Sequence, residues 1–211
     1  TQILLNHVVS GTAKSTDLQT GYIKTLAKGG ASTTNTLSMY VDLTSGVKLN
    51  GVAKVTTADV MASNGIIHVV DAVIGLPTIV THATANPNFS TLATLLTTQN
   101  LISTLSSSAT PSPFTVFAPL NSAFDTATTS LYGGLTSTQK TAVLTYHVIG
   151  GANVLSTGIP ASSPTLETGI LRFSGATITD EQARVTNIVL TDVQCSNGII
   201  HAVNKVLLPT L

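Results

Sequence analysis

The spacing of apolar and polar positions changes along the chain, and the changes mark its elements. From Asn86 to Leu105, the residues Phe89, Leu92, Leu95, Leu96, Ile102 and Leu105 recur near helical spacing behind the turn formers Asn86–Asn88. This predicts a helix with a break near Asn100. SPFTVFAP (Ser112–Pro119) alternates and is rich in β-formers, so it predicts a strand that Pro119 ends. LTSTQKTAVLTYHVIGG (Leu135–Gly151) predicts a second helix. Thr136 serves as N-cap with Gln139 three residues on, a capping box. Val143, Leu144, His147 and Val148 fall on one face, and Gly150–Gly151 supply the stop. After Leu166 the pattern turns to short strands: ILRFSG, ATITD, ARVTNIVLTDVQC and GIIHAVNKVLL. Helices first and strands afterwards predict an α+β domain.

The chain also repeats itself. SNGIIH stands at Ser63–His68 and again at Ser196–His201, 133 positions later. The likeness extends to ADVMASNGIIHVVDAVIGLP (Ala58–Pro77) against TDVQCSNGIIHAVNKVLLP (Thr191–Pro209), and to ILLNHVVSG (Ile3–Gly11) against VLTYHVIGG (Val143–Gly151). His7 precedes His68 by 61 residues and His147 precedes His201 by 54, which fits one fold with a longer loop in the first copy. A period this long implies tandem globular domains and not a solenoid. The copies are unequal. The second has a long segment before His147, from about Ile79 to Thr145, whereas only six residues precede His7. Residues 1–78 therefore read as the C-terminal part of a first domain and 79–211 as a complete second one. The first is expected to need an upstream segment, or a neighbouring chain, to cover its apolar face.

Asn-Gly between two β-prone runs is a hairpin signal because both residues tolerate positive φ. Asn64–Gly65 and Asn197–Gly198 are thus expected at such turns, with Gly198 at positive φ. Alternation places Ile199, His201 and Val203 on one strand face and Ile200 and Ala202 on the other. A His among apolar neighbours is expected to be bonded inside the domain, since an unpaired buried polar group costs about 1–3 kcal/mol. His7, His68, His147 and His201 are read as structural on this ground.

Charge narrows the function classes. Nine basic and nine acidic residues give no net charge in 211 residues, and no Lys/Arg cluster is visible. That argues against nucleic acid or an anionic membrane as partner. Between Ala72 and Phe124 no Asp, Glu, Lys or Arg occurs, but Pro77, Pro87, Pro111 and Pro113 interrupt the stretch and its apolar runs are short. A membrane-spanning helix, which needs roughly 20 mostly apolar residues, is not predicted. Cys195 stands alone, so no intrachain disulfide forms. A Ser- and Thr-rich, weakly charged surface suits an exported protein and, with its Thr-rich loops, a bacterial surface protein. Asn88-Phe89-Ser90 is the one N-glycosylation sequon.

FTVFAPLNSAF (Phe114–Phe124), TYHV (Thr145–Val148) and SNGIIHAVNKVLLP (Ser196–Pro209) resemble, in order and spacing, the three hallmark segments of a fasciclin domain. LNHVVSG and SNGIIHVVDAVIGLP resemble the second and third segments only. The resemblance covers essentially the whole chain. It implies a β-sandwich with a helical face and extracellular adhesion as the role, with a protein or glycan as partner. It also points to contacts at an Asp just before the hairpin turn, matched by Asp59 and Asp192, and at a Tyr-His pair, matched by Tyr146–His147. The residues preceding both Asp positions depart from that pattern, and the first copy has Asn6 where Tyr is expected.

No cofactor, metal site or catalytic residue is predicted. The histidine pairs lack a third ligand at a suggestive spacing, and no GxSxG nucleophile elbow accompanies Ser196, His201 and Asp192. The expected function is non-enzymatic adhesion or matrix interaction, secreted or at the cell surface. The second reading is a secreted carrier of an apolar ligand such as a carotenoid or lipid, which requires an exposed apolar groove.

Overall fold

The structure is a computed structural model and describes all 211 residues. In chain order its elements are α1 (Gln2–Leu5), β1 (Gly21–Gly29), β2 (Ser32–Asp42), β3 (Lys48–Leu49), β4 (Ala53–Ala62), β5 (Gly65–Val70), α2 (Ile79–Ala85), α3 (Ser90–Thr98), α4 (Ile102–Ser106), β6 (Phe114–Pro119), α5 (Thr126–Gly134), α6 (Ser137–Tyr146), β7 (Val148–Gly150), β8 (Ser162–Pro164), β9 (Ile170–Ser174), β10 (Thr177–Thr179), β11 (Val185–Cys195) and β12 (Gly198–Val203). They form an α+β fold with two sheets. One has the order β1-β2-β3-β4-β5 and the other β7-β6-β12-β11-β10-β9-β8.

The second unit is organised around β6. All six of its residues are buried, and it pairs parallel with β12 and antiparallel with β7. Strand alternation sends Phe114, Val116 and Ala118 toward the helices, where Phe89, Leu92, Leu96 and Leu105 meet Ile200 and Ala202. Phe117 points the other way, into a second cluster with Tyr146, Leu171, Ile178, Val203 and Leu207. Leu171 and Ile178 belong to β9 and β10 of the same strand order, so the sheet curls back and encloses this cluster. Thr136 caps α6 and Gln139 returns the bond, the expected capping box. The helix ends at Tyr146, sooner than expected, because Val148–Gly150 leaves it to pair with Phe114–Val116. Helices α2 and α5 were not foreseen. In α2, Thr78 forms a capping box with Thr81, a residue type that does not announce one.

The first sheet repeats part of the second. β1 to β5 follow the order of β8 to β12, with nothing in the place of β6 and β7. β1 and β2 have 9 and 11 residues where β8 and β9 have 3 and 5, which locates the longer first copy. The hairpin they form lies on the second unit. Ala31 N–H donates to Ser196 O at 2.9 Å, Gln194 N–H to Ser38 Oγ at 3.0 Å, and Asn86 Nδ2 to the Tyr22 hydroxyl at 3.2 Å. Gly29 is required there, since a Cβ would overlap the Ser196 backbone.

The SNG turns differ from expectation. Cys195 pairs with Gly198 and Ala62 with Gly65, so the two-residue loops are Ser196–Asn197 and Ser63–Asn64, one residue earlier than Asn-Gly. Neither Asn197 nor Gly198 has positive φ. The left-handed residues are Asp59 (φ 58°) and Asp192 (φ 61°), at the register shifts of β4 and β11. Gly198 is demanded by contact: a Cβ there would overlap the Phe114 carbonyl and stand 2.9 Å from Ile79 Cδ1. Gly198→Ala is therefore expected to cost about 3 kcal/mol or more by overpacking against a backbone that cannot retreat. Urea unfolding monitored by circular dichroism measures this, and an unchanged midpoint would contradict the contact.

Candidate functional site

The four repeated histidines form two matched pairs of backbone clamps. At the end of α6, His147 is buried; its Nδ1 bonds Val143 O at 2.7 Å, and Leu207 N–H donates to its Nε2 at 2.9 Å. His7 does the same with Ile3 O at 2.7 Å and Ile74 N–H at 3.0 Å. A backbone N–H can only donate, so the accepting nitrogen carries no proton and Nδ1 donates. The strand histidines use the opposite tautomer. His201 Nε2 donates to Val154 O at 2.9 Å and Nδ1 faces Asp192 N–H at 3.3 Å. His68 Nε2 donates to Ala13 O at 2.8 Å and Nδ1 faces Asp59 N–H at 3.4 Å.

The bulged Asp residues complete each clamp. Asp192 accepts from Ser156 N–H at 2.8 Å and from the Ser156 hydroxyl. Asp59 accepts in the same way from Ser15. Each carboxylate thus ties its bulge to the loop that its partner histidine also grips. The bonds from Ser15 hold the Asp59 carboxyl below the usual carboxylate range. These serines lie 44 and 36 residues from their partners, in stretches without other repeat signal, and so escaped sequence reasoning.

This wiring engages the side chains of the repeated motif. Every ring nitrogen of the four clamp histidines faces a backbone partner, and no group of three or more His, Cys, Asp or Glu is assembled. Ser156 donates to Asp192 and His201 turns to the backbone, so no serine–imidazole bond exists to activate a nucleophile. His82, in α2, is fully buried between the units with its ring edge against Tyr22, 5.3 Å between centroids. Neither of its ring nitrogens has a hydrogen-bond partner.

The adhesion candidates fall in different places. Tyr146 and His147 are interior: Tyr146 is fully buried and its hydroxyl donates to Ile170 O at 3.0 Å, and His147 is bonded within the domain as a structural histidine is expected to be. Neither side chain can meet a partner while α6 is folded. Asn6, in the place of Tyr146, is also buried and donates to Gly75 O at 2.9 Å. Asp59 and Asp192 are half-buried. Asp192 opens on a polar groove of about 400 Å³ between the units, shared with Lys24, Thr34, Asn35, Thr157 and Gln194. On the first unit lies an apolar trough of about 440 Å³, bounded by Ile23, Met39, Val55, Ile66 and His68.

Burial pushes the pKa of His82 down to about 3 and that of His147 to about 4, and it lowers that of His201. The unfolded chain therefore binds these protons first. Their contribution to stability is complete above about pH 6.5 and is lost as pH falls toward the folded values. His82 and His147 each add a slope of up to about 1.4 kcal/mol per pH unit in that window, and His201 adds to it in the same direction. Urea denaturation between pH 7 and pH 5 is expected to show this loss, with His147→Ala reducing the slope by one proton. A flat profile would mean that the rings are charged in the folded protein.

The fasciclin domain family model matches residues 1–77 and 87–209. An uncharacterized protein of Synechocystis is 34% identical over 139 residues, 63% of this chain and 98% of that protein. The cell surface glycolipoprotein MPB83 of Mycobacterium bovis is 31% identical over 138 residues, 62% of this chain and 60% of that protein. Among solved structures, a FAS1 domain pair from the insect cell adhesion molecule Fasciclin I superposes with a TM-score of 0.57 at 20% identity, over 98% of this chain and 79% of that one. With the family pattern running through both units and the arrangement shared with a tandem pair, this chain belongs to the fasciclin domain family.

Proposed function

We propose that the protein is a non-enzymatic adhesion or matrix-interaction module, secreted or held at the cell surface, that recognises an extracellular protein or glycan. The observation that carries this reading is the inward use of the repeated residues. His7, His68, His147, His201, Asp59 and Asp192 are all committed to backbone clamps, leaving a rigid frame and no reactive group. Recognition is left to the surface, which is rich in Ser and Thr and carries no net charge. A partner would be met by hydrogen bonding and shape, not by a salt-sensitive field. The glycolipoprotein and adhesion-molecule names of the relatives agree with this. The units divide at residues 78 and 79, the first being the C-terminal part of a domain and the second whole.

The polar groove beside Asp192 is the contact we favour. It lies between two units held together by backbone bonds, so its shape is preformed. Lys24 Nζ donates to Asp192 O at 2.9 Å, fixing one wall. Carriage of an apolar ligand is favoured by one observation, the 440 Å³ apolar trough, which is within the size range of small-molecule sites. A visible absorption spectrum of protein from its native source tests that reading.

Adhesion is measured by the binding of protein-coated beads to glycan and extracellular-matrix arrays. Thr34 and Thr157 are exposed on the groove rim. The double substitution Thr34→Arg, Thr157→Arg is expected to leave the thermal midpoint unchanged and to lower bead binding about tenfold or more by filling the groove. Binding at the parental level would move the contact elsewhere.

A further inference from the structure

His82 is the histidine that the repeat does not explain. The four clamp histidines bridge backbone groups, whereas His82 is fully buried with neither ring nitrogen bonded. It lies on the seam between the units. Its helix, α2, belongs to the second unit, and the β1–β2 hairpin of the first unit covers it: the Tyr22 ring meets it edge-on, and the Ser38 backbone comes near without completing a bond. The turn after β3 also rests on α2, since a Cβ at Gly51 would stand 3.2 Å from Ala85.

Charge makes this place one-sided. Lys24, on β1, is the cation beside the ring. No carboxylate answers it. α2 itself reads IVTHATA, and no Asp or Glu occurs between Ala72 and Phe124, so α2, α3, α4 and β6 supply none. β2 turns Ser38 to the seam and sets Tyr40 against Tyr22, 5.1 Å between ring centroids. β11 brings the buried Cys195 thiol and Asp192, whose carboxylate already accepts from the N–H and hydroxyl of Ser156. β12 touches α2 at Gly198, and its titratable group, His201, is turned to Val154 O. A proton on His82 would therefore place a second cation beside Lys24 in a fully buried site with no counter-charge. Burial holds the pKa of the ring down at about 3. A ring uncovered by departure of the hairpin returns to the ordinary histidine value of about 6.5. The released state binds the proton first, so it gains on the docked state as pH falls below that value.

We propose that His82 is an acid-sensitive pin for the seam: the neutral ring keeps the β1–β2 hairpin docked on α2, and its protonation releases the hairpin from the second unit. The bonds that cross from the hairpin run from Ala31 N–H to Ser196 O, from Gln194 N–H to Ser38 Oγ, from Asn86 Nδ2 to the Tyr22 hydroxyl and from Lys24 Nζ to Asp192 O. Each can pass to water when the units part. The polar groove has Lys24, Thr34 and Asn35 on one wall and Thr157, Asp192 and Gln194 on the other, so release also takes it apart. Unloading of a partner in acid rests on that groove being the contact; the release itself is read without a partner, so the two can fail separately.

Amide hydrogen exchange of the 211-residue protein at pH 7 and pH 5 tests the release, with rates expressed as protection factors so that the intrinsic pH dependence of exchange is divided out. The Ala31 and Gln194 amides, whose bonds cross the seam, are expected to lose protection about 25-fold, as one ring moving between a pKa of about 3 and about 6.5 requires. The Phe117 amide, bonded to His147 O inside the second unit, is expected to stay more protected than either at both pH values. His82→Phe keeps an aromatic ring against Tyr22 and takes no proton. It is expected to cut the loss at Ala31 and Gln194 to less than about threefold, and His82→Leu does the same where the larger ring does not fit. Full retention of protection by the parent at pH 5 would overturn the proposal, as would an equal loss in the parent and the His82 variants. Seam amides that exchange no faster than Phe117 would also overturn it, because the hairpin would then leave only when the whole second unit unfolds.

Discussion

The parallel contact between β6 and β12 is the constraint on which the second unit depends. It exists because Gly198 has no side chain, so that the Phe114 carbonyl can close on the backbone. Asn197, one residue earlier, converts that approach into a fixed joint by bonding α2 at Ile79 and the end of α4 at Leu105 and Ser107. Once β6 is seated, its alternation decides what lies on each side. Phe114, Val116 and Ala118 take the helices and Phe117 takes the curled strands, so one six-residue strand contributes to both hydrophobic clusters. The buried groups around it obey the same accounting. Backbone N–H and C=O groups that the irregular loops leave unpaired are met by histidine rings, each donating once and accepting once.

Those rings explain why so short a motif carries so much structure. A histidine in the neutral form is the one ring that offers a donor and an acceptor on opposite sides, and here it bridges segments 47 to 67 residues apart, as from His201 to Val154 or from His7 to Ile74. The bulge at Asp59 or Asp192 aims the local N–H at the ring and the carboxylate at a serine. An aspartate tolerates the left-handed conformation that the bulge imposes. Together the three side chains fasten a loop that belongs to neither sheet. A carboxylate engaged in this way is poorly placed to meet a partner, which shifts attention from the motif to the groove beside it.

Much of this was legible in the chain, for identifiable reasons. The repeat exposed the tandem order, the capping box at Thr136 was readable because Thr and Gln stand at the required spacing, and the alternation of FTVFAP marked a strand. The α+β class followed from the change of period. What escaped has an equally physical cause. Asn-Gly suggested a left-handed turn, but the loop lies one residue earlier and the glycine answers to a neighbouring strand, a tertiary demand that no local pattern encodes. Ser15 and Ser156 are two of many serines until the fold brings them to their aspartates. Tyr146 and His147 stand out in the sequence as a pair matched to a pattern of partner contacts; the burial of Tyr146 comes from Leu171 and Ile178 on the curled strands β9 and β10, which no local pattern encodes.

The two units are also unequal in how they are held. The first sheet buries Leu37, Met39, Tyr40 and Val41 along β2, yet exposes Ile67 and Val69 along β5. Its order is therefore best supported at the end that touches the second unit and least at the end that does not. The extended β1–β2 hairpin explains the difference. It brings Tyr22 to the helical cluster, Lys24 to Asp192 and Gly29 to the Ser196 turn, so part of the first sheet is stabilised by a core it does not own. The shorter β8 and β9 of the second unit have no such task. Lengthening a hairpin adds only a modest entropic cost when its added residues pair with each other and dock on a formed surface. The asymmetry of the repeat thus has a structural meaning: the residues added in the first copy are those that hold it to the second.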